Sequence, residues 1–117
     1  MRLIIHLIAD DDAALIGDNY LAEEMIRYAE VYPSDAAASL IEALALKIRL
    51  IDVEGRYMKI CRGYMDTTDL SDVVHAAACL QTRSTLISDD HHFDKINADG
   101  IIKVWKTKIA IKELLGI

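Results

Sequence analysis

The chain has 117 residues, of which 53% are hydrophobic, and a formal net charge of −6. This length fits one domain with a sizeable core, and the composition excludes a disordered chain. The negative charge excludes nucleic-acid binding through a broad basic surface, although cations held by acidic groups would still permit it. Every apolar run is shorter than the about 20 residues of a membrane-spanning helix, so no membrane partner is expected.

The two cysteines indicate a reducing compartment. Cys61 and Cys79 lack the spacing of a metal or redox motif. Buried, reduced thiols in a cytoplasmic protein are the simplest interpretation. The apolar run at residues 3–9 has no clear cleavage site, so we do not expect a signal peptide.

The first half of the chain begins with an apolar run at residues 2–9, whose period fits a helix and a strand equally. The predicted elements that follow are a turn at Asp10–Asp12, a strand at 13–17, a helix over 19–32, a helix over 35–47 and a strand at 48–53. Asp18 and Ser34 precede the two helices as N-cap residues, and Pro33 ends the first of them.

The second half continues the alternation of helices and strands. Its predicted elements are a helix over 55–64, a helix over 71–83, a strand at 85–88, a strand at 101–105 and a helix over 108–115. Asp69 is the predicted N-cap of the alanine-rich helix, and Asp72 forms a capping box with it. Strands separated by helices predict an α/β fold, a three-layer sandwich in which helices flank a short, mainly parallel sheet.

Acidic residues fall at the sheet edge where ligands bind in open parallel sheets, beyond the carboxyl ends of the strands. Asp89 and Asp90 follow the third strand directly, and a right-handed crossover brings Asp72 to the same edge. Glu24 lies one to two turns into the helix after the first strand, and that helix begins at the same edge of the sheet. Clustered carboxylates repel one another unless a cation bridges them, and oxygen ligands of this kind suit Mg²⁺ or Mn²⁺.

Three segments resemble motifs of the PIN-domain family, over a stretch from about residue 13 to residue 105. Residues 69–77, DLSDVVHAA, resemble the motif in which an aspartate opens an alanine-rich helix. Residues 86–93, LISDDHHF, resemble the later motif, in which a strand is followed by a hydroxyl residue, a variable residue, an aspartate and a nearby phenylalanine. Residues 21–25, LAEEM, resemble the glutamate site of the family, with Glu24 at the matching position.

The resemblance implies a metal-dependent ribonuclease, often the toxin of a toxin–antitoxin pair. On this reading Glu24, Asp72 and Asp90 are the catalytic residues, and together with Asp89 they hold one or two Mg²⁺ or Mn²⁺ ions. The partners it implies are an RNA substrate, an antitoxin protein and a second copy in a homodimer. When bound, such an ion supplies an activated water and a positive charge beside the phosphodiester.

The sequence departs from the family pattern at its start, and the fold expected is therefore PIN-like but incomplete at the N-terminus. PIN domains usually open with a strand that ends in an aspartate, and no segment here matches it well. The turn at Asp10–Asp12 leaves too few residues before the next strand for a parallel crossover. Three explanations stay open: the chain lacks this strand, residues 2–8 replace it by antiparallel pairing, or the strand lies upstream of Met1.

Each candidate residue also has a simpler structural interpretation. Asp72 reads as an acid that stabilises a helix start, and Glu24 as a solvated helix position. Asp89 and Asp90 read as polar residues that end a strand. For the His91–His92 pair we expect surface or cap roles, because imidazole is a less usual ligand in a carboxylate site for Mg²⁺ or Mn²⁺.

Two other classes of function stay open. One is a non-catalytic PIN-like protein that acts through protein–protein contacts, which the missing first-strand aspartate favours. The other is an α/β signalling domain that receives a phosphoryl group on an aspartate, with Lys103 or Lys106 beside it. The order of elements disfavours the second class, since its paired acids follow the first strand and the pair here follows a late one.

Overall fold

The computed structural model describes residues 2–31 and 34–117, and it confirms an α/β chain. The described residues form seven α-helices: α1 Arg2–Ala9, α2 Asn19–Val31, α3 Asp35–Lys47, α4 Gly55–Arg62, α5 Leu70–Thr82, α6 Asp94–Ala98 and α7 Thr107–Leu115. The strands are β1 Leu15–Gly17, β2 Ile48–Leu50, β3 Thr85–Ile87 and β4 Lys103–Trp105, and a 3₁₀ turn spans His91–Phe93. The chain divides into two compact units, Met1–Ile51 and Asp52–Ile117. A single domain stays a prediction.

The four described strands form two parallel pairs. In the first unit β1 pairs with β2, and in the second unit β3 pairs with β4, with Thr85 opposite Lys103. The second ladder continues beyond its strands, where the Ser88 amide donates to the Trp105 carbonyl at 3.0 Å. Parallel pairing is therefore confirmed, while a single sheet flanked by helices on both faces stays a prediction.

Residues 2–9 form a helix, so the explanation in which residues 2–8 supply an antiparallel strand is wrong. A helix satisfies its backbone hydrogen bonds within the segment, whereas a strand needs a partner. The Asp10 amide donates to the His6 carbonyl at 2.9 Å and extends the helical pattern by one residue. No helix in the described ranges, α1 included, combines the length and the apolar character needed to cross a membrane.

Local side chains start the next two helices as predicted. Asp18 Oδ1 accepts the amide three residues on at 3.1 Å, and this carboxylate is almost fully buried. Ser34 Oγ accepts the Ala37 amide, also at 3.1 Å. The predicted end of α2 at Tyr32 and Pro33 lies outside the described residues.

The strand predicted over residues 48–53 ends at Leu50, three residues early. Backbone groups at the start of the second unit bond to a side chain of α5 instead. Gln81 Oε1 accepts the Glu54 amide at 2.9 Å, and Gln81 Nε2 donates to the Asp52 carbonyl at 3.0 Å. Because Gln81 satisfies these backbone groups, they do not need hydrogen bonds to a neighbouring strand, and the strand can end at Leu50.

The core of the second unit is built around α5, which packs against α4. Its buried members are Cys61, Met65, Val73, Ala76, Ala77, Phe93, Ile96 and Ile102. Phe93 and Ile96 come from the 3₁₀ turn and from α6, two elements that the sequence patterns did not predict. They are too short to show a period, yet they anchor the segment after β3 in the core.

Gly17→Ala is expected to destabilise the first unit by about 1–3 kcal/mol, the usual cost of overpacking. A methyl group at Gly17 would lie 2.8 Å from Ile48 Cγ2 and 3.0 Å from Leu21 Cδ2. The Ile48 methyl cannot turn away easily, because branched side chains are restricted at χ1. Urea denaturation measures the change in the free energy of unfolding.

Gly55→Ala is the matched control for this substitution. Nothing lies within 4 Å of the methyl position at Gly55, which opens α4. Alanine is also favoured over glycine in a helix, so this variant should be at least as stable as the wild type. Equal losses in both variants would contradict a close contact at Gly17.

Candidate functional site

The turn after β3 is held by side chains that bond to its own backbone. Ser88 Oγ accepts the Asp90 amide at 3.1 Å, and Asp90 Oδ1 accepts the His92 amide at 2.9 Å. Phe93 then enters the core, with 3% of its surface exposed. Short polar side chains of this kind favour turns over regular structure. The serine, aspartate and phenylalanine of this segment therefore fix the backbone that carries the candidate site.

The side chain of His92 connects this turn to the start of α5. Its Nδ1 atom lies 2.9 Å from Asp72 Oδ2 and 3.3 Å from Asp90 Oδ1. The Asp72 side chain is 12% exposed, and the Asp90 side chain is 42% exposed. Two of the carboxylates expected to share a site thus converge on one imidazole nitrogen.

The hydrogen bonds at the start of α5 differ from the predicted capping box. Asp69 is the N-cap, since its Oδ1 accepts the Ser71 amide at 3.0 Å. The Asp69 amide, which a capping box would pair with Asp72, donates to Thr67 Oγ1 at 3.1 Å. The prediction of a capping box between Asp69 and Asp72 is therefore wrong. Asp72 instead faces His92, with Thr67 Oγ1 at 3.5 Å, and its burial sets it apart from an ordinary first-turn acid.

Opposite charges accumulate around the start of α5. Hydrogen bonds from the Ser71 hydroxyl and amide lower the pKa of Asp69, and the charges of His92 and His75 lower it further. His75 is half-buried on α5. The acidic groups at this helix end are thus accompanied by two imidazoles, those of His75 and His92.

Asp89 stabilises a different element from its neighbour Asp90. Its Oδ1 accepts the Thr107 amide at 2.8 Å, and its Oδ2 accepts the Thr107 hydroxyl at 2.7 Å. Thr107 opens α7, and the N-cap residue Lys106 makes no side-chain cap bond there. Both carboxylate oxygens of Asp89 thus serve α7, an arrangement that does not support the metal-ligand role predicted for it.

Glu24 belongs to the first unit, whereas Cys61 and Cys79 belong to the second. Glu24 is on α2 in the first unit with its surface exposed, and its catalytic and metal-binding roles stay predictions. Neither Cys61 nor Cys79 forms a disulfide. Burial raises the pKa of the Cys61 thiol to about 11, which disfavours its thiolate form.

Asp90, His91 and His92 bring three metal-ligand groups together. Within residues 2–31 and 34–117, one ligand atom from each of them lies within 4.8 Å of the others. Asp90 Oδ1 is 3.7 Å from His91 Nδ1 and 3.3 Å from His92 Nδ1. The sequence contained a signal for this group, two adjacent histidines after an aspartate, but the preference of Mg²⁺ for oxygen led us to expect surface roles.

The chain matches no protein-family model, no curated protein and no solved structure. Membership of the PIN-domain family therefore stays a prediction from the motifs at residues 69–77 and 86–93.

Asp89→Ala is expected to destabilise α7 near neutral pH. Hydrogen bonds from the Thr107 hydroxyl and amide lower the pKa of Asp89 from its ordinary value of 3.8, so the folded state favours the carboxylate. The stabilisation is present above that ordinary value and is lost as the pH falls through the lowered folded pKa. Thermal unfolding should show a lower midpoint for the variant near neutral pH and converging midpoints in acid.

Asp99→Ala is the control for loss of a surface aspartate. Asp99 is exposed at the end of α6, and its backbone amide donates to a carbonyl of that helix. A deficit of Asp89→Ala that persists unchanged in acid, or an equal deficit in Asp99→Ala, would contradict a carboxylate cap on α7.

Proposed function

We propose that the protein is a metal-dependent ribonuclease with a PIN-like three-layer fold, in which Asp72 and Asp90 hold Mg²⁺ or Mn²⁺. One observation carries the proposal. The two carboxylates come from elements well separated in the sequence, yet they lie 2.9 and 3.3 Å from the same nitrogen of His92. Carboxylate oxygens are the ligands these ions prefer.

The donor set fits a divalent cation. Asp72 is mostly withdrawn from water, and a carboxylate in that environment needs a positive or hydrogen-bonding partner. His92 meets this need, and a cation between Asp72 and Asp90 would meet it as well. When bound, the ion supplies an activated water and a positive charge beside the scissile phosphate.

The protein groups contribute fixed positions and charge. Asp72 is held by the first turn of α5, and Asp90 is held by the turn that Ser88 and Phe93 define. The His92 imidazole lies beside both carboxylates and fixes their positions relative to each other. Groups held in this way need little rearrangement when a phosphodiester binds, which favours catalysis.

Other parts of the proposal rest on the PIN resemblance. They are Glu24 as a third catalytic carboxylate, RNA as the substrate, an antitoxin as a protein partner, a homodimer and action in the cytoplasm. The sheets lend some support to a partner. Each sheet of the described residues has two short strands, and outer strand edges attract pairing with another chain.

The second candidate is a non-catalytic PIN-like protein that acts through protein contacts. The position of His92 favours it, because a hydrogen bond from the imidazole satisfies the Asp72 carboxylate without any ion. The phosphoryl-receiving domain loses support. Lys106 Nζ pairs with Asp94 Oδ1 at 2.9 Å, and both oxygens of Asp89 bond to α7.

The purified protein is expected to cleave single-stranded RNA in the presence of Mn²⁺ or Mg²⁺. Asp90→Asn and Asp72→Asn should each lower the rate at least about 100-fold, since a metal ligand contributes several kcal/mol to the transition state. Asparagine keeps one carboxamide oxygen as an acceptor for His92, so the turn and the start of α5 should stay folded. Cleavage is measured with a fluorescently labelled oligonucleotide.

Asp99→Asn is the matched control, because it makes the same chemical change at an exposed position outside the cluster. It should cleave RNA at the wild-type rate, and circular dichroism should show that all variants are folded. If the wild type and the Asp90 and Asp72 variants leave RNA equally intact, the ribonuclease proposal fails and the non-catalytic candidate replaces it.

A further inference from the structure

The imidazoles of His91 and His92 lie near the Asp90 carboxylate, and the ribonuclease proposal does not use them as ligands. His91 Nδ1 lies 3.7 Å from Asp90 Oδ1, longer than a hydrogen bond, and 83% of the His91 side chain is exposed. The ring centres of His91 and His92 are 4.6 Å apart, with their planes tilted by 51°. These contacts of the turn do not explain why His91 lies beside Asp90 and His92.

We infer that His91 and His92 are metal ligands together with Asp90, and that the site therefore selects transition metals such as Mn²⁺, Co²⁺ and Zn²⁺ over Mg²⁺. The inference rests on the metal binding of the proposed function, but not on RNA cleavage. It assigns nitrogen ligands to a site that the sequence presents as carboxylate only.

Two distances within the cluster are close to those between ligands of one small divalent ion. Ligands at about 2.0–2.1 Å from a tetrahedral metal lie about 3.3–3.4 Å from one another. Asp90 Oδ1 is 3.3 Å from His92 Nδ1 and 3.7 Å from His91 Nδ1. Closing the remaining gap requires movement mainly of His91, whose exposed side chain is the least constrained of the three.

Asp72 completes the set as an oxygen ligand. Its Oδ2 lies 2.9 Å from His92 Nδ1, the same atom that faces Asp90. That nitrogen cannot coordinate a metal and donate a hydrogen to Asp72 at the same time. Metal binding therefore replaces this hydrogen bond, and it leaves Asp72 Oδ2 beside the ion.

The mixed ligand set determines which metal binds best. Oxygen ligands alone suit Mg²⁺ and Mn²⁺, whereas imidazole favours later first-row metals. Affinity for a given nitrogen and oxygen site rises from Mn²⁺ through Co²⁺ to Ni²⁺. The nitrogens of His91 and His92 should thus separate Mg²⁺ from the transition metals, which Asp72 and Asp90 by themselves would bind with less discrimination.

Isothermal titration calorimetry on the full chain, without a polyhistidine tag, tests the inference with Mg²⁺, Mn²⁺ and Co²⁺. Co²⁺ should bind at least about tenfold more tightly than Mg²⁺, and Mn²⁺ should bind with an affinity between those of Mg²⁺ and Co²⁺. His91→Gln and His92→Gln should each weaken Co²⁺ binding about tenfold or more and affect Mg²⁺ less. The visible absorption of bound Co²⁺ should also change in the variants, because it reports on nitrogen ligands.

His6→Gln is the matched control. His6 also pairs with an aspartate, Asp10 at 3.8 Å, but it belongs to α1 in the first unit. Its substitution should leave the Co²⁺ affinity unchanged. His91→Gln is the decisive variant if His92→Gln fails to fold, because the His91 side chain is largely exposed and makes no core contact.

The outcomes separate this inference from the ribonuclease proposal. Equal affinities for Mg²⁺ and Co²⁺, unchanged Co²⁺ binding in His91→Gln, or no metal binding at all would overturn the inference. Cleavage of RNA with carboxylate-only binding would still support the ribonuclease. Selective Co²⁺ binding that requires His91, in a protein that leaves RNA intact, would support the inference and defeat the ribonuclease.

Discussion

The Asp72 carboxylate has little access to water, and the His92 imidazole is the partner that its charge requires. A buried carboxylate without a partner would cost several kcal/mol or take up a proton, so the contact constrains both segments. It ties the first turn of α5 to the turn after β3, and Phe93 holds the same turn in the core. The positions of Asp90 and His91 follow from this pairing, because both residues belong to the segment that the contact and the core hold in place.

Asp89 and Asp90 are adjacent in the sequence but have different contacts. Asp89 bonds to Thr107 at the start of α7, whereas Asp90 shapes the 3₁₀ turn and faces His92. The exposed position of each would suggest two equivalent surface acids. Their contacts distinguish them, since the first is fully used by a helix end and the second keeps oxygen surface available for a cation. The candidate site is thus built on residues whose neighbours supply the rigidity.

Local rules account for what the sequence predicted well, and distance along the chain explains what it missed. The caps Asp18, Ser34 and Asp69 each act on an amide two or three residues away, so spacing alone identifies them. The contact between His92 and Asp72 joins residues 20 positions apart, and no pattern in the sequence specifies it. The same limit applied to Asp89 and Thr107. Residues 2–9 were ambiguous because six of the eight residues are apolar, and so dense an apolar run does not distinguish the period of a helix from that of a strand.

The contacts within residues 88–93 constrain how the sequence of this segment can vary among related proteins. Ser88 Oγ accepts the Asp90 amide, and Asp90 Oδ1 accepts the His92 amide, each two residues later in the chain. The His92 imidazole contacts the Asp72 carboxylate. Inserting or deleting a single residue within residues 88–93 would change the spacing that places Asp89 against Thr107 and Asp90 against His92. Substitutions should therefore be tolerated more readily than changes in length, and an alignment gap within residues 88–93 would indicate that these contacts have been lost.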